Sequence, residues 1–444
     1  MSTEALGQLE SWLPPPDARQ LPPGRLSWLE VEREEAVAHA RKLGLPTTKQ
    51  ENWRYTGLKG LLEQGFLPHA RPAGLRHEQI QSHLIPGLDS HRVVLVNGQF
   101  VPELSDALDE LPPGVRIGSL HRVLEDDPDA VRDRLARIAT IDKHLFAALN
   151  TAALQDGLVV LLDAEARVER PVELIHVSTS PSARAHVAQP RHLIALERGA
   201  EATLIERFVG SDDVSYCTNV VAEVSLAEHA RLEHYRIQTE GRSAYHVASL
   251  HVAQDGDSRY RVVNVGMGGA WARTDLVARF ASEGAECELS GLYLCGDQQL
   301  IDYHLDVDHA VPGCMSREHF KGILHGKGRA VFDGYVHVAR DAQRSDAQMV
   351  NKNLLLSTNA EIDAKPQLKI YADDVKCSHG TTVGQIEPDS LFYLRSRGIP
   401  VNEARRMLCM AFAEEVLGGL RSVPPLHEHV SELVGATLEA VRFD

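Results

Sequence analysis

The chain has 444 residues, 43% of them hydrophobic and 24% charged, and its 46 Lys and Arg against 62 Asp and Glu give a formal net charge of -16. This is the balance of a folded globular protein, and its acidity repels phosphate backbones and anionic lipid head groups, so neither nucleic acid nor a membrane is the expected partner. The length corresponds to about three domains, and no apolar run approaches the ~20 residues that a bilayer span needs.

The opening MSTEALGQLESWLPPP has no basic segment followed by an apolar one, so no signal peptide is expected and the chain reads as cytoplasmic. Residues 1–155 read as a mostly helical N-terminal domain. From Leu29 to Leu43, Glu-rich early turns, basic later turns and a helical apolar stripe predict a helix stopped by Gly44 and Pro46. Further helical stretches are expected around 120–138 and 142–154, near the acidic break EDDPD. Between the early and late helices lies VVLVNGQFV (93–101), where Asn97-Gly98 between apolar runs predicts a hairpin turn.

Residues 156–386 change character, with short Val-, Ile-, Leu- and Tyr-rich runs broken by Gly, Asp or Ser. One pattern recurs, a turn residue followed by alternating small or apolar positions, beginning at Gly199, His229, Gly256, Gly284, Gly328 and Asn359. The steps between these starts are 30, 27, 28, 44 and 31 residues. A strand repeat of roughly 30 residues cannot bury its apolar face alone and must stack on its neighbours, whereas propeller blades run to ~40–50 residues. The core is therefore expected to be a parallel β-helix, or β-solenoid, with the 44-residue step as an irregularity.

Residues 387–444 turn helical again. PDSLFYLRSRG begins with a Pro-Asp start signal and ends at Gly398; VNEARRMLCMAFAEEVLGGL follows with Asn402 as its expected N-cap; a last amphipathic stretch runs from Leu426 to Phe443. Two readings stand for these helices: they cap the open solenoid, or their apolar stripe docks a partner.

Common catalytic signatures are missing. Gly322-Ile-Leu-His-Gly326-Lys327-Gly328 lacks both the spacing and the hydroxyl of a phosphate loop, and Gly266-Met-Gly268-Gly-Ala-Trp271 has Trp where a dinucleotide fingerprint needs its third Gly. There is no G-x-S-x-G elbow, no H-E-x-x-H and no recognisable flavin motif. The cysteines, at 217, 287, 295, 314, 377 and 409, form no C-x-x-C pair. That excludes finger, ferredoxin-like and thioredoxin-like sites, and six are too sparse for a disulfide scaffold. Any metal would be held by scattered ligands or shared with a partner.

Two constellations remain. In IDYHLDVDH (301–309), period-two alternation puts Asp302, His304, Asp306 and Asp308 on one face; such a face either binds a divalent metal or is the solvated outside of a coil. In Asp373-Asp374-Val-Lys-Cys377-Ser-His379-Gly380, Cys377 and His379 are two apart and project together from an extended segment. A thiolate with an imidazole suits Fe or Zn but leaves a tetrahedral set incomplete; the alternative is a turn with a buried Cys and a satisfied His.

YADDVKCSHGTTVGQIEPDSLFYLRSRGIPVNEARRMLCMAFAEEVL (371–417) closely resembles the C-terminal part of SufD-type members of the SufB/SufD family, from the SUF iron–sulfur cluster assembly machinery. DYHLDVDHAVPGCMSREHFKGILHGKGRAVFDGYVHV (302–338), QMVNKNLLLS (348–357) and PTTKQENWRYTGL (46–58) look like the same family. The resemblance implies a right-handed parallel β-helix core and a non-enzymatic scaffold subunit. It implies pairing with a SufB-like subunit through the β-helix, docking of a SufC-like ATPase on the C-terminal helices, and delivery of clusters to apo iron–sulfur proteins. It also implies that His379, with Cys377 beside it, faces the SufB-like partner where iron or a nascent cluster is shared. No cofactor is expected to be firmly bound by the isolated chain. Two rival readings are a β-helix carbohydrate-active enzyme, disfavoured by the missing signal peptide and the 5% aromatic content, and a structural homodimer formed when the chain is alone.

Overall fold

The computed structural model describes residues 3–13, 26–68, 75, 77–108, 110–179, 185–212 and 214–443, so parts of the opening segment (1–2 and 14–16) lie outside the described residues. The body is a parallel β-solenoid of about seven turns built from two long sheets. From Glu201–Gly210 onward, successive strands alternate between the sheets, and each pairs in parallel with the strand one coil away. In the first sheet Glu201 lies beside Arg231, then Arg259, Glu286, Met315, Asp346 and Lys376, so one coil takes 27 to 31 residues.

The 44-residue step now has an explanation. The runs from Gly199 to Gly284 lead into strands of the first sheet, whereas those at Gly328 and Asn359 lead into Arg329–Val338 and Glu361–Ile370 of the second. The step spans about one and a half coils because the recognised pattern moves from one face to the other.

Period-two alternation along each strand sends one set of side chains into the lumen and the other outward. A lumenal column of the first sheet runs Leu232, Tyr260, Cys287, Ser316, Ala347, Cys377. Leu232, Tyr260, Cys287 and Ala347 belong to the main apolar core. The N-terminal end is closed. The hairpin His91–Val96/Gln99–Phe100 extends the first sheet, and Val115–Ser119 runs antiparallel to Leu158–Leu162 at the end of the second. Asn97 and Gly98 both have positive φ (50° and 82°), the geometry of the tight hairpin turn that the Asn-Gly pair predicts.

The helix ending at Leu43 runs from Ser27 and stops at Gly44, whose φ is 65°. The stretch 120–138 holds only two short helices, Leu120–Asp126 and Asp129–Arg132, broken at Asp127-Pro128, and the later one spans Leu145–Ala152. Beyond residue 132 the helix fails because the Glu223 carboxylate accepts the backbone N–H groups of Ala136, Ile138 and Ala139, with Ala136 at φ 60°. A remote acceptor has replaced the helical ladder.

The C-terminal helices are Pro388–Ser396, Val401–Leu417 and Pro424–Ala440. Pro400 occupies the N-cap of the second, and Asn402 falls inside its first turn; the fixed φ of proline starts the helix two residues earlier than a side-chain cap would. The last two helices do not cap the solenoid. Cys409, Ala413, Val416, Val430 and Val434 pack on Ile237, Val263, Leu292 and Ile323, along the outer flank of the first sheet. Buried Lys321 pins them there: its Nζ donates to the Phe412 carbonyl (3.0 Å), pairs with Glu415 (2.5 Å) and lies 3.9 Å above the Phe412 ring. The solenoid end is left open, with Glu361–Ile370 and Lys376–Gly384 as the last strands of the two sheets.

Candidate metal or cluster site at the open end

Cys377 and His379 sit on that last strand of the first sheet. Cys377 lies opposite Ala347 and His379 opposite Met349, both buried, so the two side chains face the lumen side, as their two-residue spacing in an extended segment requires. Cys377 is half-buried against the core; His379, with no coil beyond it, is exposed. The other five cysteines are buried, so Cys377 is the thiol that combines a lumenal position with access to solvent.

Burial pushes the Cys377 thiol above its ordinary range, and Asp346 and Glu318 push it further the same way. The thiol is the stable form in the free chain, and a cation must arrive to make the thiolate that binds a soft metal. Across the lumen, Ile362 and Leu368 of the facing strand pack into the apolar core and offer no donor atom. The chain therefore presents two donors at an open mouth, half of a four-ligand set.

The acidic strand behaves differently. Asp302, His304, Asp306 and Asp308 lie on the outer face of the second sheet, and that face is only partly solvated. Asp302 is buried; it accepts from Thr56 Oγ1 (2.6 Å) and Arg273 Nη1 (3.1 Å), and His304 Nε2 lies 3.0 Å from its other oxygen. The Arg273 guanidinium also stacks 3.9 Å from the Trp53 ring and donates to the Asn52 carbonyl, while Lys365 reaches Glu51 (2.6 Å). This half of the strand docks the 46–58 segment onto the solenoid. Asp308 is held by Arg279 and by His337 (2.8 Å).

A third grouping escaped the sequence reading: His176, His192 and Glu206 bring three potential ligand atoms within 4.8 Å of one another in the interior. Its chemistry argues against a metal. The Leu158 N–H donates to His192 Nδ1 (2.9 Å), so the proton of that neutral ring sits on Nε2, the atom facing the cluster. Burial, then His176, holds His192 neutral, its pKa lowered to about 3. Burial opposes ionisation of Glu206, yet Arg236, whose Nε donates to it at 2.6 Å, holds that carboxyl well below its usual range. The cluster already contains its own cation. The available signal was the 30-residue interval from Glu206 to Arg236, one coil apart in register.

Residues 176–412 match the family model described as SUF system FeS cluster assembly, SufBD core domain, and residues 19–174 match the SufBD protein N-terminal region. The chain is 36% identical over 392 residues to the iron–sulfur cluster assembly protein SufD of Escherichia coli, covering 87% of this chain and 89% of that protein. It is 33% identical to an iron–sulfur cluster assembly SufBD family protein of Synechocystis (88% and 87% covered) and 32% identical to the chloroplastic protein ABCI7 of Arabidopsis thaliana (84% and 78%).

Proposed function

The chain belongs to the SufBD family of the SUF iron–sulfur cluster assembly system, and from that membership we propose that it is a SufD-type, non-enzymatic scaffold subunit whose open solenoid end meets a SufB-like subunit. The observation that carries this reading is the half-complete donor pair, Cys377 and His379, on the lumenal side of a last strand whose outer edge has no neighbour among the described residues. Iron or a nascent cluster is the cargo of that interface; His379 and Cys377 contribute part of its ligands and the partner the remainder. The two last strands each have one free edge, and exposed Ile370, Tyr371 and Val383 on or beside them favour pairing with another solenoid of the same width.

A SufC-like ATPase is assigned to the C-terminal helices. The last two helices bury their inner faces against the first sheet, whereas Pro388–Ser396 buries no residue; Phe392 (73% exposed) and Tyr393 (56%) on it, and Met407 on the next helix, remain turned outward. Aromatic and Met side chains on helices at this exposure suit a partner groove. Without a SufB-like subunit, the same open edge supports a homodimer.

The test is anaerobic co-expression with SufB-like and SufC-like subunits, followed by mass and iron analysis. The expected result is a hetero-complex that holds iron and loses most of it on His379→Ala while staying assembled. Cluster assembly at the wild-type rate by the His379→Ala complex would remove His379 from the site; failure to form any hetero-complex would remove the scaffold reading.

A further inference from the structure

Away from the open end, a groove runs along the outer face of the second sheet beneath the 137–144 segment. Two adjoining cavities of ≈ 360 and ≈ 300 Å³ share Lys143, His144, Val277, Asp306 and Tyr335 as walls. Strand register sets the floor: His251 lies beside Val277, and Val277 beside Asp306. Residues in one such column project to the same side, so His251 and Asp306 flank Val277 across two strand spacings, about 9.5 Å. The roof is positioned by Glu223 through its bonds to the N–H groups of Ala136, Ile138 and Ala139. It carries His144 over the floor, its ring edge-on to that of His251 at a centroid distance of 5.6 Å.

The polar groups here are short of partners. His251 is 1% exposed, lines the larger cavity, and neither of its ring nitrogens has a hydrogen-bond partner. A buried polar group left in that state calls for a partner, an ordered water or a bound ion. Asp306 stands between Arg279–Asp308–His337 on one side and Lys365–Asp333 on the other, and takes part in neither set of ion pairs.

We propose that His144, His251 and Asp306 form a binding site for a borderline divalent cation, Zn²⁺ or Fe²⁺. Two imidazoles and one carboxylate are a donor set for such ions and leave further positions open to water. His251 is fixed by burial; half-buried His144 and exposed Asp306 supply the side-chain rotation that closes on the ion. Lys143, exposed at the rim, is free to swing outward. The site is on the opposite sheet from Cys377 and His379 and is independent of the reading given to them.

The experiment uses the full chain, freed of any tag and washed with chelator, carrying Cys377→Ala and His379→Ala so that the open end contributes no ligand. Zn²⁺ titrated calorimetrically is expected to bind at one per chain, and Co²⁺ to give an absorption spectrum without thiolate charge transfer. Asp306→Asn and His144→Gln, both outside the buried core, are each expected to weaken binding at least tenfold with unchanged circular dichroism. Absence of stoichiometric Zn²⁺ binding in the double-alanine chain, or equal affinity in Asp306→Asn and His144→Gln, would overturn the proposal.

Discussion

Glu318 illustrates how one lumenal residue can govern the response to pH. It lies in the same column as Met349 and His379, two coils in from the open end, and is 1% exposed. Burial pushes its pKa up to about 7. In the unfolded chain it returns to its ordinary value, so between the two the native state holds a proton that the unfolded state has released. Stability therefore falls as pH rises through that window and levels off above pH 7. The shift corresponds to roughly 3 kcal/mol. Glu318→Gln keeps the shape without the charge, and its advantage over wild type in urea unfolding is expected to be small at pH 5 and to grow to that order by pH 8. A difference that does not vary with pH would show that the carboxyl is not buried in its charged state. Cys377 belongs to the same scale: its two-residue spacing from His379 was legible in the sequence, but the elevation of its thiol pKa comes first from burial against the preceding coil and then from Asp346 and Glu318, one and two coils away.

Between elements, the recurring device is an ion pair across one coil. Arg191–Glu223, Glu206–Arg236, Arg273–Asp302, Arg279–Asp308 and Arg317–Asp346 are separated by 32, 30, 29, 29 and 29 residues, and each joins neighbouring strands. Glu206–Arg236, Arg273–Asp302 and Arg279–Asp308 are directly opposite in register and the other two pairs lie diagonally, two residues off, so these pairs also penalise a slip. Arg191–Glu223 matters most because both side chains are fully buried and Glu223 also anchors the 136–139 backbone. Glu223→Ala leaves the Arg191 charge unpaired and three N–H groups without an acceptor, with an expected loss of about 3–5 kcal/mol in denaturant unfolding. The Arg191→Met/Glu223→Met double change is expected to be destabilised by less than the sum of the two single changes, as the charge is removed with its partner while the three N–H groups still lose their acceptor. Simple additivity of the two single changes would mean that the pair is not coupled.

Taken as a whole, the molecule is closed at one end and open at the other. The antiparallel strands near the N-terminus finish the solenoid there, and the C-terminal helices lie along its flank. The exposed edge would invite uncontrolled association unless it serves a specific one. Tyr371→Lys and Val383→Lys place charges on side chains that are 56% and 51% exposed. Such surface changes are expected to leave the unfolding free energy within about 0.5 kcal/mol of wild type. They are expected to abolish co-purification with a SufB-like subunit and to shift the isolated chain to monomer in sedimentation. Retention of the hetero-complex by both variants would place the partner elsewhere on the surface.

Local periodicity carries the coil length, the strand-forming runs, the Asn97-Gly98 hairpin, the three C-terminal helices and the shared direction of Cys377 and His379, because each depends on residues a few positions apart. The long quoted motifs carry the family. Tertiary structure alone decides which sheet each strand joins, and hence why one repeat step measures 44 residues. It also decides that the last helices lie on the flank, that the 120–138 helix is cut short by a carboxylate far along the chain, and that Asp302 serves Thr56 while Asp306 opens into a groove. Those outcomes rest on contacts such as Thr56 to Asp302, 246 residues apart, and Lys321 to Phe412, 91 apart. No local pattern encodes such pairs, since their partners are chosen only when the coils stack and the terminal segments fold back upon them.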